Sequence, residues 1–218
     1  MNRILIVALL VFAIPSFSLG QEGVRQSRWR QLFNARDLSG WEHIGPGTFL
    51  VEKGLLRTEG GMGLLWFKAE KFGNCVIRVV YKTTSAASNS GVFIRIADTP
   101  NDEMFAVHHG YEVQIGDDDT DEYHRTGAIY SLGKARRVAN KRVGEWNRME
   151  ITLRGAKVLV RLNGVLVTDF DPRQSVPPRK FDWEPQLGAR PETGYIGLQN
   201  HDEGDAHVYF KEIRVRVL

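Results

Sequence analysis

The sequence has 218 residues, 42% hydrophobic and 25% charged, enough for one sizeable core without disulfide or metal staples. Its single cysteine, Cys75, excludes an internal disulfide. The formal charge of +3 is dispersed apart from Lys134-Ala135-Arg136-Arg137 and Lys141-Arg142, and no basic stripe or nucleic-acid module accompanies it, so no nucleic-acid partner is expected.

Residues 1–20 read as a secretory signal peptide. Asn2 and Arg3 form a short basic start, Ile4 to Ile14 is an apolar run too short to span a bilayer, and Pro15 to Gly20 supplies a breaker and small residues for cleavage before Gln21. A retained N-terminal anchor is the alternative, disfavoured by the length of the run. No Cys follows it to carry a lipid, and no later segment is apolar enough to cross a membrane, so no membrane contact is expected after cleavage. A secreted or periplasmic location follows. Residues 21–28 form a polar lead-in, and 29–218 read as one domain.

Leu32 to Trp41 gives an apolar pair, a turn rich in Asn, Asp, Ser and Gly, and a Trp of buried type. Phe49-Leu50-Val51 and Leu55-Leu56 flank Glu52-Lys53-Gly54, a hairpin signal. Gly60-Gly61-Met62-Gly63 precedes a strand, Leu64 to Phe67. A phosphate loop would follow a strand and open a helix, so tight-turn glycine is the reading preferred. Val76 to Thr84 is a long strand, and Cys75 beside it suits a small buried residue rather than a reactive thiol.

Asn89 to Ile96 alternates, Val92, Ile94 and Ile96 against Phe93 and Arg95. Asp98 to Gly110 is a loop with room for one helical turn, and its adjacent His108 and His109 point apart on an extended chain. Gly110 to Gly116 alternates again. Val113 and Ile115 share one face; Glu112 and Gln114 share the other, about 6–7 Å apart. Gly127 to Tyr130 reads as a short strand, with Ile129 and Tyr130 competing for the core direction. Met149, Ile151 and Leu153 alternate with Arg148, Glu150 and Thr152, and Asn163-Gly164 is the strongest hairpin turn in the chain. Asp171 to Thr193 has five prolines and no alternation; loops of such length are functional or disordered. Gly194 to His201 sets Ile196 and Leu198 against Tyr195 and Gln199, with His201 at the strand's end. The last strand, Ala206 to Val217, slips phase between Phe210 and Ile213, which predicts a bulge.

About a dozen short strands, no helix-length periodic segment and no internal repeat predict an all-β fold, a two-sheet antiparallel jelly-roll sandwich. Three strands then place Arg95, Glu112, Gln114 and Gln199 opposite their packing residues. Carboxylate, guanidinium and carboxamides supply the donors and acceptors that sugar hydroxyls require, and Phe93 and Tyr195 add flat area for a pyranose ring. The plainer alternative is that these residues only solvate an outer face. Retaining glycosidases need two carboxyl groups about 5–5.5 Å apart. Jelly-roll glucanases place them as Glu-x-Asp-x-Glu or Glu-x-Asp-x-x-Glu, whereas this chain has Glu112-x-Gln114-x-x-Asp117. An amide stands where an acid is needed, which argues against ordinary glucanase chemistry.

Several motifs in order, Leu32 to Trp41, Asn89 to Arg95, Tyr111-Glu112-Val113-Gln114-Ile115, Thr126-Gly127-Ala128-Ile129-Tyr130, Gly144-Glu145-Trp146-Asn147, Leu162-Asn163-Gly164 and Gly194 to His201, resemble the 3-keto-disaccharide hydrolase domain family. The resemblance covers nearly all the chain after residue 31. It implies a concanavalin A-like jelly roll and cleavage of glycosides already oxidised at sugar C3. A C3 ketone acidifies the C2 hydrogen, so one base can remove it, the C1 substituent leaves by elimination, and water adds later. On that reading Glu112 is the base or acid, Arg95 and Gln114 hold the keto-enolate edge, and Gln199 binds hydroxyls. His201 or Tyr130 protonates the leaving oxygen.

No cofactor is expected. The acidic run Asp117 to Glu122 offers oxygen ligands for a divalent cation such as calcium, but lacks the EF-hand spacing, so a solvated loop is preferred. Asp117, nearest the strand, is the residue of that run placed at the substrate. The expected partner is a small carbohydrate, with a functional link to an oxidoreductase that makes the ketone; no dinucleotide motif suggests that this chain performs the oxidation. A non-catalytic glycan-binding module and a structural envelope protein are the competing readings.

Overall fold

The computed structural model describes residues 28–116 and 120–218, and the expected leader and Asp117 lie outside the described residues. Alternating β-branched and aromatic residues form thirteen strands there, with one helical segment of five residues. One sheet orders β11 (Val165–Phe170), β10 (Lys157–Leu162), β9 (Asn147–Arg154), β6 (Cys75–Thr83), β13 (Val208–Val217), β4 (Leu55–Glu59) and β3 (Thr48–Glu52). The short β1 (Arg30–Gln31) also pairs with β13. The second sheet orders β2 (Trp41–Ile44), β5 (Gly61–Phe67), β12 (Tyr195–Asp202), β7 (Ser90–Ile96) and β8 (Tyr111–Ile115). Every pairing of named strands is antiparallel. The fold is the expected two-sheet jelly-roll sandwich.

The inward faces meet in one core. Ile77 and Val79 of β6 and Met149 and Ile151 of β9 join Val92, Ile94, Val113, Ile115 and Leu198 of the opposite sheet. Each side chain of this size contributes about 1.5–3 kcal/mol by leaving water. Cys75 belongs to this core, and burial pushes its thiol up to about 12, so it packs as a small hydrophobe. Asn163 and Gly164 both take positive φ, 51° and 89°, the geometry a two-residue hairpin needs. The β13 register shifts between Phe210 and Glu212, where the sequence pattern slipped.

A second, smaller cluster lies on the outer face of the five-stranded sheet. The helical segment α1 (Phe105–His109) lays Ala106 and Val107 over Leu64, Trp66, Phe93 and Ile96. All five residues of β8 are buried, Tyr111, Val113 and Ile115 in the main core and the polar Glu112 and Gln114 on the outer face. Residues 127–130 do not form the expected strand. They join the free edge of β8 through a single bridge, Val113 to Ile129, with Gln114 N–H donating to Ala128 O and Tyr130 N–H to Glu112 O.

Alternation fails at one place that matters. Arg95 takes φ 56°, and the β7–β12 register shifts between Tyr195 and Gly197. Gly194 permits this, because a Cβ there would stand 2.5 Å from the Arg95 backbone. Past the irregularity the faces exchange: Ile96 joins the outer cluster with Phe93 rather than the core with Val92 and Ile94.

Candidate active site

Three residues stand level across the outer face of the second sheet. Gln199 on β12 pairs with Gly91 on β7, and Gly91 pairs with Gln114 on β8. Having no side chain, Gly91 leaves a notch between two carboxamides. The side chain of Glu112, two pairs along β8 opposite Phe93, lies in that notch. A Cβ on Gly91 would fall 2.2 Å from Glu112 Oε1 and 2.6 Å from its Cγ. Gln199 Nε2 donates to Glu112 Oε2 at 3.4 Å, and Oε1 has no hydrogen-bond partner among the described residues. Burial pushes the Glu112 carboxyl up to about 8.

Above this floor opens a cavity of about 500 Å³, within the range of small-molecule sites. Glu112, Gln114 and Gln199 line it, together with Asn89, Tyr130 and His201. Gln114 Nε2 donates to Asn89 Oδ1 at 3.1 Å, which turns the Asn89 amino group toward His201, 3.0 Å from Nδ1. Neutral His201 therefore accepts at Nδ1 and carries its proton on Nε2. His201 itself is exposed, at the rim.

Tyr130 resolves the ambiguity of its segment. Ile129 is fully buried in the core, and Tyr130 faces the cavity beside Glu112. Burial, then the Glu112 and Glu184 carboxyls, raise its phenol above the usual range, so it keeps its proton. A hydrogen-bonded chain braces it: Asp121 Oδ2 to His124 Nδ1 at 2.7 Å, His124 Nε2 to Ser131 Oγ at 3.0 Å, and Ser131 Oγ to Glu184 Oε1 at 3.3 Å. The His124 ring lies 4.9 Å from that of Tyr130. The order looks like a Ser–His–Asp relay, but Ser131 donates its proton to Glu184, so the hydroxyl is not activated as a nucleophile.

Three expected binding residues are elsewhere. Arg95, reversed by its positive φ, buries its guanidinium away from the cavity and donates from Nη2 to Gly155 O in the β9–β10 turn. Burial lowers its pKa, an effect opposed by Tyr111 and Glu192. It cannot hold a keto-enolate in that cavity. Phe93 is fully buried beneath α1 and offers no face to a ring. Tyr195 shares the outer face but packs edge-on to Trp66 at 4.9 Å, with Lys71 Nζ 5.1 Å from its ring centre, and does not line the cavity. Of the acidic run, Asp121 is held by His124 and Glu122 pairs with Lys134 at 2.9 Å. No cluster of three metal-ligating side chains occurs among the described residues.

Sequence reading missed Asn89, Glu103, Met104, Val107, Met62 and Trp183, which also line the cavity. Met104 precedes α1 and Trp183 sits in the 171–193 loop; the proline-rich length of that loop was the one available signal.

A sequence model of the 3-keto-alpha-glucoside-1,2-lyase-like domain matches residues 28–216. The chain belongs to this family. Among solved structures it is similar to a protein of Parabacteroides distasonis described as a putative glycosyl hydrolase, with 28% identity and a TM-score of 0.72 over 88% of this chain and 100% of that one. The carbohydrate binding module CBM66 of Bacillus subtilis shares the fold at 13% identity and TM-score 0.54, covering 81% of this chain and 95% of the module. So does a Bacillus subtilis protein of galectin-like fold, at 11% identity and TM-score 0.61, over 87% and 94%. No curated protein matches the sequence. Membership in the 3-keto-alpha-glucoside-1,2-lyase-like family gives the chain a carbohydrate-related function, and the site above is where its chemistry is sought.

Proposed function

We propose that the cavity cleaves 3-keto-glycosides by elimination across C1 and C2. The observation that carries this reading is the carboxyl of Glu112, buried in the cavity floor, whose Oε1 is unpartnered among the described residues while Oε2 is held by Gln199. A carboxylate tuned to about 8 is a stronger base than an ordinary one and still ionises near neutrality. Glu112 takes the C2 proton, and the electron pair moves into the C3 carbonyl as an enolate. The enolate collapses to a C1=C2 double bond, and the C1–O bond breaks with its electrons on the leaving oxygen. Tyr130 gives that oxygen a proton. Water then adds across the double bond to give the free 3-keto sugar.

With Arg95 removed from the site, the enolate oxygen falls to neutral donors: the second N–H of Gln114 and the Nε2–H of His201. Gln199 Oε1, also without a partner among the described residues, accepts a substrate hydroxyl. The substrate must come from a reaction that oxidises a C3 hydroxyl to a ketone. The test is turnover of a 3-keto-glucoside by Glu112→Gln, expected to fall about 10²–10⁴-fold with the fold intact. Near-normal turnover removes Glu112 from the mechanism. Tight binding of the keto sugar by the native protein without any cleavage makes the chain a glycan-binding module instead.

A further inference from the structure

The cavity has two chemically different walls. The Glu112, Gln114 and Gln199 wall is polar. Met62 of β5, Met104, Val107 of α1 and Trp183 form the other. Of the hydrogen-bonding side chains, that second wall holds Glu103 and the indole N–H of Trp183. The Cβ of Glu103 would touch a side chain placed on Gly45, whose nearest other neighbours are Met62 O and Gly63 Cα, so Glu103 stands beside Met62.

Trp183 is the unusual member. The sandwich buries Trp41 and Trp66 almost completely, yet Trp183 is 56% exposed and Phe181 50%. Their rings stack in parallel, 4.4 Å apart at 4°. Phe181 covers one face of the indole, and the half-exposed ring still lines the cavity. The platform is fixed in place. Glu184 Oε2 accepts from Lys180 N at 2.5 Å and Phe181 N at 3.0 Å, and Arg179 Nε donates to Glu184 O at 3.1 Å. His108 Nε2 donates to Asp182 O at 3.1 Å, tying the loop to α1. An exposed aromatic surface held rigid at the mouth of a site is organised to receive something flat.

Resting on the elimination reading above, we infer that this wall is a leaving-group subsite for an aromatic aglycone, so that the preferred substrates are aryl 3-keto-glucosides rather than 3-keto-disaccharides. A second sugar can stack on the indole, but Met62, Met104 and Val107 return no hydrogen bonds to its hydroxyls, and Glu103 answers only some of them. An aryl ring stacks on Trp183 and takes the soft thioethers at its edge. Glu103 accepts from a phenolic hydroxyl carried by that ring.

The experiment compares kcat/KM for phenyl 3-keto-α-glucoside and a 3-keto-glucosyl disaccharide in the native protein and in Trp183→Ala. Comparing the substrate ratio of the native protein with that of the variant cancels the intrinsic difference between leaving groups. The phenyl-over-disaccharide ratio is expected to fall about tenfold in Trp183→Ala, mainly through KM, and by less in Phe181→Ala. An unchanged ratio, or one that rises, overturns the subsite. Calorimetric titration of Glu112→Gln with the same two compounds provides a readout independent of turnover, and tighter binding of the phenyl compound is expected. If the native protein cleaves neither compound, the elimination reading fails; equal binding of both by Glu112→Gln then also overturns the subsite.

Discussion

The carboxyl of Glu112 occupies the space that a side chain on Gly91 would fill, one strand away. Gly91 does not take positive φ, so alanine suits its backbone and removes some unfolded-state freedom, about 0.4–1 kcal/mol in favour of folding. The new methyl nonetheless collides with Glu112 Oε1 and Cγ, and overpacking costs about 1–3 kcal/mol. Gly91→Ala is therefore expected to fold with a modestly lower Tm while losing about 100-fold in kcat, because the base is pushed off its line. Thermal melting and steady-state kinetics on a 3-keto-glucoside check both halves. Unchanged turnover shows that the notch does not position the base.

The raised Glu112 carboxyl makes a stability prediction with a definite sign. In the unfolded chain it titrates near 4.5, and in the fold near 8. Between those values the native state holds a proton that the unfolded state has lost. Its stabilising contribution is complete below pH 4.5 and declines as pH rises toward 8, by up to about 1.4 kcal/mol per unit. Glu112→Gln cannot ionise. Its Tm is expected to match that of the native protein near pH 4.5 and to exceed it by several degrees at pH 8. Activity has the opposite slope: kcat/KM of the native protein rises with pH to a midpoint near 8. A falling limb there assigns Glu112 as the acid. Parallel Tm curves for the two proteins show that its carboxyl titrates normally.

What the sequence revealed and what it hid divide along a physical line. Period-two alternation placed Val113 and Ile115 inward and Glu112 and Gln114 outward, as the structure has them. The same rule misplaced Arg95, because parity counts residues and is blind to a single positive φ that reverses every face after it. The close approach that permits the reversal involves Gly194, about a hundred residues away, so no local window contains the cause. Phe93 was assigned the right face, but nothing in its strand announces that α1 covers it. Trp183 and Asn89 reach the cavity from loops, where side-chain direction has no period to read.

Asn163 combines a left-handed backbone with three side-chain hydrogen bonds. Its Oδ1 accepts from Arg148 N at 2.9 Å, and its Nδ2 donates to Ala139 O at 2.7 Å and Asn147 Oδ1 at 2.8 Å. Asn163→Ala loses those partners and strains φ 51°. A loss of about 2–4 kcal/mol is expected, which lowers Tm by about 5–15 °C in a chain of this size. Asn163→Gly keeps the turn geometry and isolates the hydrogen-bond share, so it should recover part of the loss. Chemical denaturation of the three proteins measures it; equal midpoints for alanine and glycine assign the whole effect to the side chain.

Asn89 connects Gln114 to His201 and sets the tautomer of the imidazole, although it touches neither Glu112 nor Gln199 by hydrogen bond. In the native protein nitrogen-15 NMR should show His201 Nδ1 unprotonated and Nε2 carrying the proton. Asn89→Asp replaces the donor with a carboxylate, which draws the proton to Nδ1 and turns Nε2 into an acceptor. The donor proposed for the enolate is then lost. A kcat reduction of about 10-fold or more, with KM little changed, is expected, together with the reversed tautomer in the spectrum. Asn89→Ala removes the constraint without imposing the opposite one, so its loss should be smaller. A tautomer already on Nδ1 in the native protein contradicts the assignment of His201 as donor. A reversed tautomer with native kcat in Asn89→Asp leaves the imidazole at the rim for binding alone.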